Sequence, residues 1–261
     1  MRILTALAFA AATLAGTSAA FAGPFSVPGG GQIKTTENSY ESTVGVKGDV
    51  LNGIFNVTQI NASSGITYSY GGGGRFLVGS FTGFVLDTVN PISGGFRLAF
   101  TGGALNYYSF GADPFLGGAL TTSGTQAGAL DAIDNGVWEL GLTPQLIDAT
   151  HTLTIDVFGG VPPFTTFVSA GTSKVFLDIV GGASASLFNQ DTFTNTFTLI
   201  LADGVYSGTA NTENCDIAPV WDVCGQNGNT LSVIPEPITL SLFGAGLAGA
   251  AALRRRKAKK A

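Results

Sequence analysis

The chain has 261 residues, a formal net charge of −5, 45% hydrophobic residues and 19 phenylalanines. That much apolar material excludes a disordered chain, and the acidic balance argues against DNA, RNA or an anionic membrane surface as a partner. Glycine takes 38 positions, about twice its usual share of roughly 7%, while charged residues are 11% against about 25% in an average domain, so Ser, Thr, Asn, Gln and Gly must cover the surface.

The first element is a leader. Met1-Arg2 supplies a positive start, Ile3–Ala15 is apolar apart from two threonines, and Ala20-Phe21-Ala22 stands before Gly23. This is the pattern of a secretory signal peptide over residues 1–22, cut between Ala22 and Gly23, with Ala20 and Ala22 as the small residues of the cleavage site. The body expected after it is a single domain over residues 23–234.

Along that body the periodicity is that of strands. Phe96, Leu98 and Phe100 alternate with polar or small residues, as do Trp138, Leu140 and Leu142. Thr152–Val157 alternates without a fault, and Val175, Leu177 and Ile179 share one face of Lys174–Ile179. Thr192–Leu201 places Phe193, Phe197, Leu199 and Leu201 together. Period two with threonine on the outer face marks half-buried antiparallel strands. Turn signals fall at Gly71–Gly74, Asn90-Pro91, Gly94-Gly95, Gly102-Gly103, Gly159-Gly160, Gly181-Gly182 and Asp203-Gly204. One helical turn is expected over Thr125–Ile133. Many short strands at this spacing predict an all-β fold, an antiparallel two-sheet sandwich or jelly roll.

Residues that carry chemistry are few. His151 is the sole histidine, at the start of the Thr152–Val157 strand, and no nucleophile elbow, zinc-protease motif or phosphate loop is present. Gly244-Ala245-Gly246-Leu247-Ala248-Gly249 satisfies a dinucleotide pattern on paper, but it lies in an apolar tail and lacks the strand and acid that such a site needs. Asp131–Gly136 offers oxygen ligands without the terminal Glu of a calcium loop. Tyr68, Tyr70, Tyr107, Tyr108 and Phe110 are aromatic faces that could stack on sugars. No catalytic residue, metal ligand or cofactor is assigned, and the body is expected not to be an enzyme. Cys215 and Cys224 are the only cysteines. In an exported chain their short loop predicts a disulfide, worth about 2.5–3 kcal/mol in the chain-entropy model.

The tail, residues 235–261, is the most informative segment. Pro235-Glu236-Pro237 leads into an uncharged apolar run over 238–253, and six of the seven residues at 254–260 are Lys or Arg. A helix of that run reaches roughly 24 Å against about 30 Å of hydrocarbon, a shortfall that long basic side chains and local thinning can cover. The basic end stays in the cytoplasm, which places everything before Pro235 outside the inner membrane. On these grounds a permanent single-pass anchor and a cleaved signal both remain open.

Val233-Ile234-Pro235-Glu236-Pro237-Ile238-Thr239-Leu240, then Gly246-Leu247, then Arg254-Arg255-Arg256, resembles the bacterial PEP-CTERM sorting signal. The resemblance implies recognition by exosortase, a membrane-embedded cysteine transpeptidase, cleavage near Pro235–Pro237, and transfer to the exterior of a Gram-negative cell that makes extracellular polysaccharide. It implies the secretion machinery and exosortase as partners, with transient inner-membrane contact through the C-terminal helix. Its sorting residues are Pro235, Glu236, Pro237, Arg254, Arg255 and Arg256, and it assigns no activity to the body. Arg2 and the tail hold seven of the 12 basic residues and Glu236 one of the 17 acidic ones, which leaves the body five basic and 16 acidic, a net charge of −11. The expectation is an exported surface or matrix protein associated with exopolysaccharide or biofilm. A carbohydrate-binding module, an extracellular hydrolase and an uncleaved anchored protein are the alternatives.

Overall fold

The computed structural model describes residue 25 and residues 31–62, 65–118, 120–121, 124–159, 162, 170–188, 191–196, 198–210 and 220–233. The expected signal helix and the apolar tail helix lie outside the described residues. Among the described residues no helix is long and apolar enough to cross a membrane.

The elements are β1 (Gly31–Glu41), β2 (Val50–Ala62), β3 (Gly65–Ser69), β4 (Phe76–Ile92), β5 (Gly95–Phe110), α1 (Gln126–Ile133), β6 (Val137–Pro144), β7 (Leu153–Phe158), β8 (Ala170–Gly181), β9 (Phe193–Thr194), β10 (Leu201–Ala202), β11 (Gly204–Ala210) and β12 (Val223–Val233). Every pairing is antiparallel. The order runs β1-β12-β11-β8-β6-β5-β4-β2, and β1 pairs β2 again through Ile33↔Ala62 to Glu41↔Gly53. That second pairing closes the sheet. β6 and β7 lie end to end between β5 and β8: β5 meets β7 over Gly95–Phe100 and β6 over Leu105–Ser109. They therefore fill one position, and the wall is a closed barrel of eight strands. β3 adds a short extension beside the end of β2.

The expected two-sheet sandwich is thus corrected to a barrel. A strand buried on one face alternates identically in both architectures. What separates them is the hydrogen bonding of β1 on both edges, to β12 on one side and to β2 on the other, which closes the wall.

The barrel is filled, not hollow. Phe55, Leu77, Phe81, Leu86, Phe100, Leu140, Leu177 and Leu231 are buried within it. Glycines make room for the rings. Gly53 pairs with Phe81 and Phe55 with Gly79 across β2 and β4. A Cβ on Gly53 would lie 2.2 Å from the Phe81 ring, and one on Gly79 would lie 2.2 Å from the Phe55 ring. Each ring thus covers the bare backbone of the neighbouring strand. Phe25 closes one end, with its ring centroid 5.5 Å from both Tyr107 and Phe188.

A second, smaller core lies outside the wall. α1 carries Ala129 and Ile133 onto Ile54, Val78 and Tyr108, with Leu120 and Trp221 beside them. Thr125 caps this helix by accepting the Gly128 amide at 3.1 Å, which satisfies one of its orphan donors. The helical turn expected over Thr125–Ile133 is therefore present.

Three strand expectations change. Asn90-Pro91 lies inside β4, opposite Arg97 and Phe96, because the reversal falls at 93–94. Gly102 and Gly103 lie inside β5 at φ of 71° and 99°, where that strand passes from β7 to β6. Thr192–Leu201 is not one strand. β9 and β10 pair only through Leu201↔Thr194 and Ala202↔Phe193, and Leu199 turns the chain at a positive φ of 61°.

Candidate functional site

The barrel interior has one polar wall. On β1 the residues in phase with Ile33 are Thr35, Glu37, Ser39 and Glu41, so the pleat that buries Ile33 aims all four inward. β12, beside it, contributes Asn227 and Asn229. Glu37 is fully buried; its Oε1 accepts from the Thr35 hydroxyl at 2.7 Å and the Tyr107 hydroxyl at 2.6 Å. Asn229 donates through Nδ2 to the Tyr107 hydroxyl, while its backbone amide donates to Thr35 Oγ1 at 2.7 Å. Glu37 Oε2 and Asn229 Oδ1 are buried without a hydrogen-bond partner among the described residues.

Burial penalises a charge on Glu37 and outweighs the two hydroxyl bonds, so its carboxyl is pushed up to about 7. Burial raises the Glu41 carboxyl as well, against hydrogen bonds from Ser39 and Asn227. Tyr107 and Tyr206 are driven upward by burial and then by the neighbouring carboxylates. A cavity of about 40 Å³ lies toward the opposite end from Phe25, among Leu51, Phe84, Ile155 and Val175, with Glu41, Tyr206 and Asn227 on its polar side. It is wide enough for a water molecule and far below the several hundred Å³ that drug-sized ligands occupy. Glu37 and Glu41 stand four residues apart on one strand, not across a cleft as glycoside hydrolysis requires.

His151 lies in the connection between β6 and β7. Its Nδ1 is 2.7 Å from Asp148 Oδ2 and its Nε2 is 3.1 Å from Asp87 Oδ2. Asp87 also binds Lys47 at 2.7 Å. The Asp148 bond, and then Asp87, raise the imidazole. Asp148 is lowered to about 2, first by the His151 and Thr150 amides that it accepts. With a carboxylate on each ring nitrogen, this histidine pins the β6–β7 connection to β4.

The aromatic residues expected to stack on sugars are dispersed. Tyr107 is inside the barrel, Tyr68 and Tyr108 are buried, and Tyr70 and Phe110 are half-buried. Among the described residues Trp138 is the exposed aromatic, on the outer face, although its alternation with Leu140 and Leu142 predicts a shared face. A bulge at Glu139 of β6, facing Tyr107 and Tyr108, pairs Trp138 with outward-facing Tyr108 and leaves Leu140 and Leu142 inside. The indole lies over Gly141 and Gly181, where added Cβ atoms would stand 2.5 and 2.8 Å from the ring. Its N–H donates to Asn106 Oδ1 at 3.1 Å.

The outer face of β1, β12 and β11 forms a polar groove of about 360 Å³ lined by Lys34, Thr36, Ser207, Gln226 and Thr230. Asp131–Gly136 covers the end of α1 and the turn into β6, where Asn135 Nδ2 donates to the Asp131 carbonyl at 2.9 Å. Among the described residues no group of three or more His, Cys, Asp or Glu side chains could hold a metal ion. Cys224 is disulfide-bonded at the start of β12. Cys215, its expected partner, lies outside the described residues, as do Ala20, Ala22 and Gly23 and the sorting residues Pro235, Glu236, Pro237, Arg254, Arg255 and Arg256.

Residues 233–257 match the family described as the PEP-CTERM protein-sorting motif. The match begins at Val233, the last residue of β12, so the motif follows the barrel directly. It implies an exported protein that is sorted to the cell surface and processed by exosortase. No curated protein and no solved structure matches the chain.

Proposed function

We propose that the body is a non-enzymatic β-barrel of the cell surface or extracellular matrix, set in the polysaccharide layer and delivered by exosortase processing of its tail. The observation that carries this reading is the sorting motif joined without a linker domain to the final barrel strand. The signal sequence over residues 1–22 starts export, the basic stop at 254–260 halts it, and the apolar run presents Pro235–Pro237 to the membrane enzyme. The engagement of His151 on both ring nitrogens supports a structural role for the chain's one histidine. Replacing Arg254, Arg255 and Arg256 by Glu is expected to trap unprocessed precursor and reduce surface display. Normal display of mature protein of unchanged size would contradict the mechanism.

The polar groove over β1, β12 and β11 favours a second reading, a carbohydrate-binding module. Its hydroxyls and amides suit hydrogen bonding to sugar hydroxyls, and its dimensions admit a short stretch of glycan. Retention of the mature protein on isolated exopolysaccharide, weakened by Gln226→Ala, decides for that reading.

A further inference from the structure

The antiparallel register fixes which strand ends share a rim. β12 ends at Val233, where Gly31 of β1 pairs with it, and Gly204 of β11 pairs two residues earlier with Leu231. At this same end β8 finishes with Val180-Gly181 and β6 begins with Val137-Trp138, since Gly141 pairs with Gly181. Three exposed apolar side chains therefore sit on the rim from which the tail departs: Val137 at 61% exposure, Trp138 at 43% and Val180 at 62%. The glycines beneath Trp138 let its indole lie flat against the wall, with one polar atom bonded to Asn106. An amphipathic ring with a satisfied N–H, beside two valines, is the composition found at a membrane–water boundary.

Chain length brings that boundary to the rim. From Val233 to Ile238, the first residue of the apolar run, there are five residue steps, which at full extension span roughly 17 Å. The headgroup region on one side of a bilayer is about 5–8 Å deep. Trp138 stands three strand positions from β12 along the wall, β12 to β11 to β8 to β6, or roughly 14 Å. A modest tilt about the tail brings Trp138 and Val180 into contact with the lipid surface while the tail still spans.

We infer that the Val137–Trp138–Val180 rim rests on the outer surface of the inner membrane in the tethered precursor, and that it holds Pro235–Pro237 at a set height above the bilayer. The inference rests on the reading of the tail as a membrane-spanning sorting signal. It adds that the body itself has a lipid-facing side. The seating is temporary, because cutting the tail removes the tether that gives a small apolar patch its high local concentration at the surface. The contact is with uncharged lipid, since the body's net charge is negative.

The chain's own tryptophans supply the probe. Only Trp138 and Trp221 are present, and Trp221 is buried in the outer satellite core. The full-length precursor carrying Trp221→Phe is reconstituted in phosphatidylcholine vesicles, and its insertion is checked by flotation. Bromination of the lipid near the headgroup is expected to quench Trp138 at least twofold, and the vesicles should shield it from aqueous iodide. Val180→Asp should lower the lipid quenching by half or more, whereas Val46→Asp, in the loop at the opposite rim, should leave it unchanged. Flotation with no lipid quenching overturns the inference and leaves the tail reading intact. Failure to float overturns both. Shielding that appears without vesicles, or only on added polysaccharide, overturns it in favour of copy-to-copy or glycan contact.

Discussion

Glu37 is the residue on which the barrel's chemistry turns. Its carboxyl, ordinarily near 4.5, is pushed to about 7 by burial. Between those values the unfolded chain has released its proton while the folded chain keeps it. Stability therefore falls as pH rises through this window and the loss is complete above it, on the order of 3 kcal/mol. Glu41 and Asp178 are raised by burial and act in the same sense. His151, held above its ordinary value by Asp148 and Asp87, contributes stability below pH 6.5 that is lost as pH rises through its folded value. Asp148, lowered to about 2, acts at the other end: its contribution is lost as pH falls below about 4. The denaturant midpoint should peak near pH 5 and decline toward pH 8, and Glu37→Gln should flatten the decline. Equal midpoints at pH 5 and pH 8 in the parent protein would contradict the assignment. The inward position of Glu37 was not legible, since Ile33 is the only apolar residue in its phase along β1 and the strand carries no hydrophobic alternation. Nor was the network around it, because Tyr107 lies 70 positions from Glu37 and Asn229 lies 122 positions from Tyr107.

At the scale of elements, the reciprocal packing of glycine and phenylalanine across β2 and β4 sets the barrel's tolerance to change. A Cβ on Gly79 meets not only the Phe55 ring but the Asn106 backbone oxygen at 2.3 Å, and backbone cannot swing aside. Gly79→Ala is expected to destabilise by about 1–3 kcal/mol, read from equilibrium denaturation, whereas Gly72→Ala, with open space around it, should cost little. An equal effect at both sites would contradict the packing argument. Periodicity located Thr152–Val157, Lys174–Ile179 and the Phe96–Phe100 segment, because each carries an unbroken inner face. It failed where a local device overrides alternation. The bulge at Glu139 turns Trp138 outward, two positive-φ glycines let β5 run on through an apparent turn, and Leu199 folds back what alternates like a strand.

For the whole molecule, closure and delivery were legible to different degrees. Closure depends on β1, which pairs with its sequence neighbour β2 on one edge and with β12, the last described strand, on the other, and no local pattern encodes that distant pairing. Delivery is written in contiguous residues, a tripeptide, an apolar run and a basic stop, which is why 233–257 identify a sorting motif where the body matches nothing. The motif leaves the barrel at the rim where β12 ends, and on the reading proposed above the closed body is held at the membrane by its tail until that tail is cut. The intact mass of the mature surface protein tests this most directly. The account predicts loss of residues 1–22 and of the apolar and basic tail from the Pro235–Pro237 region onward, with any covalent addition carried on the new C-terminus. A surface species that retains residues 238–261 would contradict it.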